Sequence, residues 1–313
     1  MNKLVDELNQ QLAEINGKAA VVSIHHLADL DSELNNNIKQ GILRSDSYHR
    51  LVSFYNLTFN FKPPVDFPAA QSIIITAALQ PKVEVKFKSF DKIYRAIIPP
   101  TYMDSTDKEV MERLSSCLAK FNYQLHPLRL PLKLLAMHSG LASYGRNNIT
   151  YTDQWGSFFR LKGFYSDLPC QEDTWQEVRM MEFCHKCVVC LNQCPTGAIS
   201  RESFLIKAEK CLTFFNEGSD NFPEWIKLPW HNCLIGCIKC QDVCPVNKEY
   251  KKFIVSGSDF SEEETSMILQ GVAKDQLPLD TIEKLKRICL LDDYQVLQRN
   301  LAVLIRKNKF LEV

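Results

Sequence analysis

The sequence predicts a mixed α+β or α/β fold, in which a sheet domain covered by helices precedes a cysteine-rich region and a helical tail. Apolar, β-rich runs alternate with helical patterns up to about residue 180. Eight of the twelve cysteines lie between residues 184 and 244 once Cys233 is set aside. The remaining stretch shows helical spacing. We therefore predict domains at 1–180, 181–250 and 251–313.

Each predicted element rests on a short stretch of sequence. Strands are predicted at "AVVSI", "SIIITAAL", "YRAIIPP" and "GSFFRLKGFY". A helix over 104–122 is predicted with Asp104 or Ser105 as its cap, and a second helix, "LPLKLLAMHSG", is predicted to end at Gly140. In the tail, Ser261 and Glu264 form a capping-box pattern, and "LDDYQVLQRNLAVLIRKN" has helical spacing.

The composition is that of a soluble globular protein. The 313 residues are 45% hydrophobic and 24% charged, and no tract is apolar enough to cross a membrane. Lysine plus arginine equals aspartate plus glutamate, so the chain lacks the basic excess that is typical of nucleic-acid binding. The first twenty residues do not resemble a secretion signal. We expect a cytoplasmic protein with no membrane partner.

The cysteine-rich region contains a run of four cysteines within eleven positions, the last followed by Pro195. Two-residue gaps let consecutive thiolates surround a cubane cluster, and the proline redirects the chain. This is the spacing of bacterial ferredoxins, in which three cysteines bind one 4Fe-4S cluster and the fourth binds a second cluster. The four cysteines are Cys184, Cys187, Cys190 and Cys194.

A second run, "CIKCQDVCP", is one cysteine short of the first. We predict that Cys211, at the end of the helical stretch "ESFLIKAEKCLTFF", supplies the missing ligand. Cys233 is the alternative, but it would crowd the turn before Cys237. The predicted ligand sets are crossed between the runs: Cys184, Cys187, Cys190 and Cys244 for one cluster; Cys194, Cys211, Cys237 and Cys240 for the other.

A pair of zinc sites is the alternative interpretation of these cysteines. Zinc sites also use Cys-x2-Cys pairs, but the two pairs are usually separated by a long loop. Here further cysteines follow at once, and both runs end in Cys-Pro. The spacing therefore favours a double 4Fe-4S, ferredoxin-like domain over residues 181–250.

Further motifs carry a resemblance to a known family. "HSGLASYGRNNITYTDQWGSFFRLKGFYSDLP", followed by the two cysteine runs, resembles the cobalamin-dependent epoxyqueuosine reductases, which are related to the reductive dehalogenases. The likeness extends to "FPAAQSIIITAAL" upstream and to "LKRICLLDDYQVLQRNLAVLI" downstream. It implies an iron-sulfur oxidoreductase that binds a corrinoid beside the α/β domain, and that either belongs to this family or forms a sister group.

The resemblance also implies the residues that face the corrinoid. Arginine and asparagine would donate hydrogen bonds to its amide and phosphate edges, and glycines would permit close backbone approach. The matching positions are Gly140, Tyr144, Gly145, Arg146, Asn147 and Gly156. Where the family has an acidic proton donor, an ungapped count places His126, a residue type that gains and loses a proton near neutral pH.

Three functional alternatives remain open from the sequence. The first is reductive removal of an epoxide oxygen, with tRNA as the partner that the resemblance implies and a ferredoxin or flavodoxin as the low-potential electron donor. The second is an electron-transfer or corrinoid-activating protein. The third is a cytoplasmic reductive dehalogenase, for which Tyr102 in "IPPTYMD" is the candidate proton donor.

Overall fold

The computed structural model describes residues 3–41, 43, 52 and 59–311, with side chains as far as residue 308. The chain divides into two compact units. The first comprises Met1–Leu79, Ser105–Cys187 and Arg201–Leu205; the second comprises Gln80–Asp104, Val188–Ser200 and Ile206–Val313. None of the described helices combines the length and apolar character that crossing a membrane requires.

The described residues form nine strands and eleven α-helices. The strands are β1 (Gly17–Ser23), β2 (Ser72–Leu79), β3 (Lys82–Ser89), β4 (Lys92–Ile98), β5 (Leu125–Pro127), β6 (Ser143–Tyr144), β7 (Thr150–Tyr151), β8 (Phe159–Ser166) and β9 (Ile254–Phe260). The helices are α1 (Lys3–Ala13), α2 (Leu27–Lys39), α3 (Asp107–Ala119), α4 (Leu132–His138), α5 (Glu182–Lys186), α6 (Val189–Gln193), α7 (Leu212–Glu217), α8 (Lys239–Asp242), α9 (Glu262–Gln270), α10 (Leu279–Arg287) and α11 (Tyr294–Leu311).

The first unit is built on an antiparallel sheet with the strand order β1-β2-β8-β5. Its central strand β2 is buried along almost its whole length, as the isoleucine run in "SIIITAAL" predicts. Helices α1 and α3 cover one face, where Leu12 and Leu114 pack in the same core as Ile74 and Phe164. The four predicted strands and the mixed fold class are confirmed.

The second unit contains a smaller sheet with the order β4-β3-β9. Strands β3 and β4 form a hairpin whose two turn residues, Phe90 and Asp91, both have positive φ angles (51° and 55°), the backbone that a tight two-residue turn requires. Strand β9 lies parallel to β3. Side chains from α9, α10 and α11 complete the core of this unit, including Ile268, Leu285 and Leu301.

Helix ends test the capping predictions. The capping box is confirmed, since the Ser261 side chain accepts from the backbone N–H of Glu264 and the Glu264 carboxylate accepts from that of Ser261. The predicted cap of the helix over 104–122 is wrong, because α3 begins at Asp107 with Thr106 at the cap position. The Asp107 carboxylate instead pairs with two basic side chains of β8, Arg160 and Lys162.

The predicted helix leading to Cys211 is also wrong. A 3-10 turn at Ala208–Lys210 precedes Cys211, which stands as the residue before α7. The backbone of Lys207 donates to the carbonyl of Ala198 rather than to a carbonyl one turn earlier. Cys211 is therefore extended, with its φ and ψ at −68° and 131°, and heads a helix instead of ending one.

Candidate cluster sites and cofactor cavity

The second cysteine run has the same local design as the end of the first. Cys194 ends α6 in an extended conformation immediately before Pro195. Cys240 lies in α8, and Cys244 is extended immediately before Pro245, which opens a 3-10 turn. Helices α6 and α8 pack against each other. The Cys-Pro ends of the two runs are therefore neighbours in the second unit.

Two of the four ligands predicted for one cluster, Cys211 and Cys237, have thiol pKa values that neighbouring cysteines raise. Burial raises the pKa of the Cys211 thiol, and the nearby Cys194 adds to that rise. Burial also raises the pKa of Cys237 to about 11, and both Cys211 and Cys194 contribute in the same direction. Because such charge interactions require short separations, Cys194, Cys211 and Cys237 share one neighbourhood.

Hydrogen-bond donors surround these sulfur atoms. Backbone N–H groups of Thr213 and Phe214 point to Cys211. The Asn232 amide donates from Nδ2 to Cys237 Sγ at 3.2 Å, while its Oδ1 accepts the backbone N–H of Ile238 at 2.9 Å. N–H donors to sulfur stabilise the thiolate form and tune the reduction potential of iron-sulfur clusters. The donors therefore fit the thiolates of a 4Fe-4S ligand set.

Cys233 has a different environment from Cys211. Its side chain is only 1% exposed, and its thiol donates to Asn232 Oδ1 at 3.2 Å. Burial, followed by the charge of Cys237, raises the pKa of Cys233 well above its ordinary value. A buried thiol that donates to the Asn232 amide oxygen has a structural role already, and this arrangement favours Cys211 as the eighth ligand.

Arg146 holds the chain at the first two cysteines of the first run. Its guanidinium donates to the carbonyls of Cys184 at 2.6 Å, Cys187 at 3.1 Å and Arg201 at 2.7 Å. The side chain is 5% exposed, so these charge-assisted bonds form away from solvent. The structure thus assigns two of the Arg146 donors to the backbone of Cys184 and Cys187 and a third to that of Arg201, a role that the sequence did not indicate.

We expect Arg146→Met to weaken retention of the cluster predicted at Cys184 and Cys187. The substitution leaves three carbonyls without their charged donor. Each buried carbonyl that loses its partner destabilises the local structure by about 1–3 kcal/mol. Iron should fall from about eight atoms per chain toward about four, because each cubane holds four. Arg201→Met is the matched control, since its own side chain is exposed and the carbonyl that Arg146 uses is kept. Full iron content in both variants would show that the Arg146 hydrogen bonds are not needed to retain this cluster.

A cavity of about 530 Å³ lies in the first unit, close to Arg146. Apolar side chains of α2, α4 and the segments on either side of the first cysteine run share its wall with polar and charged groups. Its lining residues are Glu33, Leu34, Asn37, Leu43, Pro131, Leu134, Tyr144, Arg146, Asn148, Val178, Met180, Arg201, Glu202, Ser203, Phe204 and Leu205. The volume is within the usual range of small-molecule sites.

Of the six residues predicted to face a corrinoid, the cavity is lined by Tyr144 and Arg146. Tyr144 stacks on Phe204, with ring centroids 4.9 Å apart, and burial together with the charge of Glu33 raises the pKa of its phenol. Asn147 does not line this cavity: its amide donates to the Tyr151 hydroxyl at 2.9 Å.

The local backbone geometry explains why glycine occupies the three predicted glycine positions. Gly140 adopts a left-handed φ of +76° just after α4, as the predicted helix end requires. Gly145 lies so close to the Tyr151 ring that a Cβ atom would collide with it. Gly156 has a φ of 55° and closes a tight turn onto Thr152. Their predicted contacts with a corrinoid stay predictions.

The two candidate proton donors are placed differently. His126 lies in β5, stacks on Phe67, and has its Nε2 3.4 Å from Asp66 Oδ1. It is not among the residues that line the cavity. Tyr102, in the second unit, donates its hydroxyl to the buried Glu217 carboxyl, whose pKa burial raises to about 8. Burial, followed by the charges of nearby cysteines, raises the pKa of Tyr102 itself.

Sequence reasoning missed several residues of the cavity. Asn148 lines it one position beyond the predicted pair, and Glu33 enters from α2, more than a hundred residues away along the chain. The Glu33 carboxylate lies 2.6 Å from Nε2 of His138, the last residue of α4. The "YGRNN" motif, which ends at Asn148, could have indicated that residue. No motif in α2 could have indicated Glu33.

Comparisons with known proteins agree with this architecture. Residues 183–247 match the family described as a 4Fe-4S double cluster binding domain. Epoxyqueuosine reductase from Leadbetterella byssophila is 34% identical over 116 residues, which is 37% of this chain and 36% of that protein. The Escherichia coli K12 enzyme is 34% identical over 128 residues, 41% of this chain and 32% of that protein. The sequence matches thus span about a third of these relatives.

The structural likeness is longer. Epoxyqueuosine reductase from Streptococcus thermophilus superposes with a TM-score of 0.67 at 18% identity, covering 98% of this chain and 82% of that one. An epoxyqueuosine reductase bound to a tRNA-Tyr stem loop gives 0.65 at 20% identity, covering 97% and 81%. The predicted resemblance is therefore confirmed: this chain has the fold of the epoxyqueuosine reductases and carries a double 4Fe-4S cluster-binding domain.

Proposed function

We propose that this protein is an iron-sulfur and cobalamin-dependent oxidoreductase that removes the epoxide oxygen of epoxyqueuosine in tRNA. The observation that carries the proposal is the double position of Arg146, which lines the cavity and also binds the carbonyls of Cys184 and Cys187. A cofactor in this cavity would lie beside the backbone of two predicted cluster ligands. Electrons from that cluster would then have a short path to it.

The cavity wall suits a corrinoid by its chemistry. Leu34, Leu134 and Met180 provide apolar surface for the face of a macrocycle, and Asn37 and Asn148 provide amide groups for its polar edge. When bound, cobalamin would supply a strongly reducing, nucleophilic cobalt centre. The residues of this chain would bind and orient the cofactor, exclude water and provide protons.

The substrate class follows from the relatives. One epoxyqueuosine reductase of the same fold holds a tRNA stem loop with the epoxyqueuosine modification, and we extend this partner to the present chain. Zero net charge leaves phosphate binding to local basic groups rather than to the whole surface. We further propose a ferredoxin or flavodoxin as electron donor and the cytoplasm as the place of action.

His126 is the proposed acid at the position where the family has its aspartate. In the present arrangement it lies outside the cavity lining, so a movement of the β5 segment would be needed to bring it to a substrate. A related Bacillus subtilis enzyme has its catalytic loop swung out of the active site. We propose that the segment containing His126 moves in the same manner.

The direct test is single-turnover reduction of an epoxyqueuosine-containing tRNA stem loop under anaerobic conditions. The reduced protein, loaded with cobalamin, should convert the modified base to its deoxygenated form, measured by mass spectrometry as the loss of one oxygen atom. Protein without cobalamin is the control and should leave the base unchanged. Corrinoid binding without conversion would favour a sister group with another substrate, including an organohalide.

A further inference from the structure

An unusual aromatic stack lies behind the cavity wall of the first unit. The indole of Trp175 is sandwiched between two imidazoles, with centroid distances of 3.9 Å to His26 and 4.2 Å to His138 and interplanar angles of 3° and 4°. An imidazolium over an indole face is attracted by the negative charge of the π system. The stack therefore fixes the planes of both imidazole rings against the indole.

The hydrogen bonds of His138 define where its protons are. Nδ1 lies 2.6 Å from the carbonyl oxygen of Gln176, which can only accept, so Nδ1 carries a proton. Nε2 lies 2.6 Å from the Glu33 carboxylate. A neutral ring with its proton on Nδ1 would bring two acceptors together at this distance. The contact consequently requires a second proton, held between Nε2 and the carboxylate.

His26, at the other end of the stack, also contacts acceptor oxygens through both ring nitrogens, but it lies away from the cavity. His26 contacts Asp29 through Nδ1 at 2.5 Å and Asp173 through Nε2 at 2.7 Å. Both carboxylates are partly exposed, so this end of the stack faces solvent. His138 is 6% exposed, and the Glu33 carboxylate that contacts its Nε2 belongs to a residue that lines the cavity.

The charged surroundings of Glu33 are mixed. From the cavity wall, Tyr144 is close enough for the charge of Glu33 to affect the pKa of its phenol. The Arg146 and Arg201 side chains line the same cavity. On the far side of Gln176, Arg179 donates to its side-chain oxygen at 2.9 Å. The Glu33 carboxylate lies between the His138 ring and the cavity, and this position allows it to pass on a proton.

We propose that His138 stores a proton and that Glu33 relays it to the oxygen atom of a substrate in the cavity. This inference rests on the proposed function. Reductive deoxygenation of an epoxide takes up two electrons and two protons, breaks both C–O bonds, and yields an alkene and water. The electrons come from a low-potential donor through the clusters. The relay supplies one proton, leaving neutral His138 beside the Glu33 carboxylate until solvent restores it; His126 is positioned in sequence to supply the other.

The first test uses ring-¹⁵N-labelled histidine, and it needs neither substrate nor cobalamin. The chain has seven histidines, and His138→Gln assigns the signal of interest. In the wild type at pH 7, both ring nitrogens of His138 should be protonated. In Glu33→Gln, whose amide can donate to Nε2, only Nδ1 should be. A wild-type ring protonated on Nδ1 alone and unchanged by Glu33→Gln would overturn the proposal.

The second test is single turnover with the epoxyqueuosine stem loop. Glu33→Gln should lose about a hundredfold in rate, the usual scale for a missing general acid, with iron and cobalamin retained. His26→Gln is the matched control and should stay within about twofold, because it removes a stacked ring that does not line the cavity. Unchanged turnover in Glu33→Gln would overturn the relay. A doubly protonated His138 in a wild type that does not deoxygenate would contradict the proposed function alone.

Discussion

Cys211→Ser should cost the protein one of its two clusters, whereas Cys233→Ser should leave both in place. The two thiols compete for the role of eighth ligand, and the structure separates them. Cys211 shares a neighbourhood with Cys194 and Cys237, while the Cys233 thiol donates to the Asn232 amide. Iron should fall from about eight to about four atoms per chain in Cys211→Ser only.

Electron paramagnetic resonance of the reduced protein supplies the second readout for these variants. Wild type and Cys233→Ser should show the interaction between two reduced clusters, and Cys211→Ser should show one isolated cluster. Cys117→Ser is a further control, because Cys117 is buried in the core of the first unit. If Cys233→Ser lost the iron and Cys211→Ser kept it, the ligand assignment would be wrong.

His126→Ala should lower the rate of deoxygenation by about a hundredfold or more, since it removes a proposed general acid. A histidine donates only while protonated, so the wild-type rate should fall as the pH rises. Single-turnover rates between pH 5.5 and 8.5 measure both effects. Phe67→Leu is the control, since it removes the ring that stacks on His126 and keeps the imidazole.

Retention of clusters and corrinoid must be verified for His126→Ala, because the comparison concerns the proton alone. A fully active variant would show that His126 has a structural role in β5, next to Asp66. It would also make Tyr102 the remaining candidate proton donor. That residue offers a less favourable donor, because burial raises its pKa and its hydroxyl is already bonded to Glu217.

The sequence predicted the features that depend on neighbours along the chain. The isoleucine run of β2 and the Ser261–Glu264 capping box each act within a few residues, and both appear in the structure as expected. The cysteine spacing is equally local, and the region that contains it matches the double-cluster family. The start of α3 was missed because Asp107 is held by side chains of β8, more than fifty residues away. Propensities calculated from neighbouring residues contain no information about a partner so distant in sequence.

The candidate site was predictable only in part for the same reason. "YGRNN" indicated that Arg146 and Tyr144 belong to it, but not that Arg146 binds the carbonyls of Cys184 and Cys187. Glu33 lies in a polar helix with no motif of its own. Its pairing with His138 joins two segments that only the folded sheet domain brings together.

The measurement that tests the central claim most directly is the cofactor content of protein purified without oxygen. After incubation with cobalamin and gel filtration, the protein should retain about eight iron atoms per chain, four for each cubane, and one corrinoid. The absorption spectrum should be that of cobalamin without its lower base as a ligand. A protein that retains both clusters and no corrinoid would contradict the account and identify an electron-transfer protein instead.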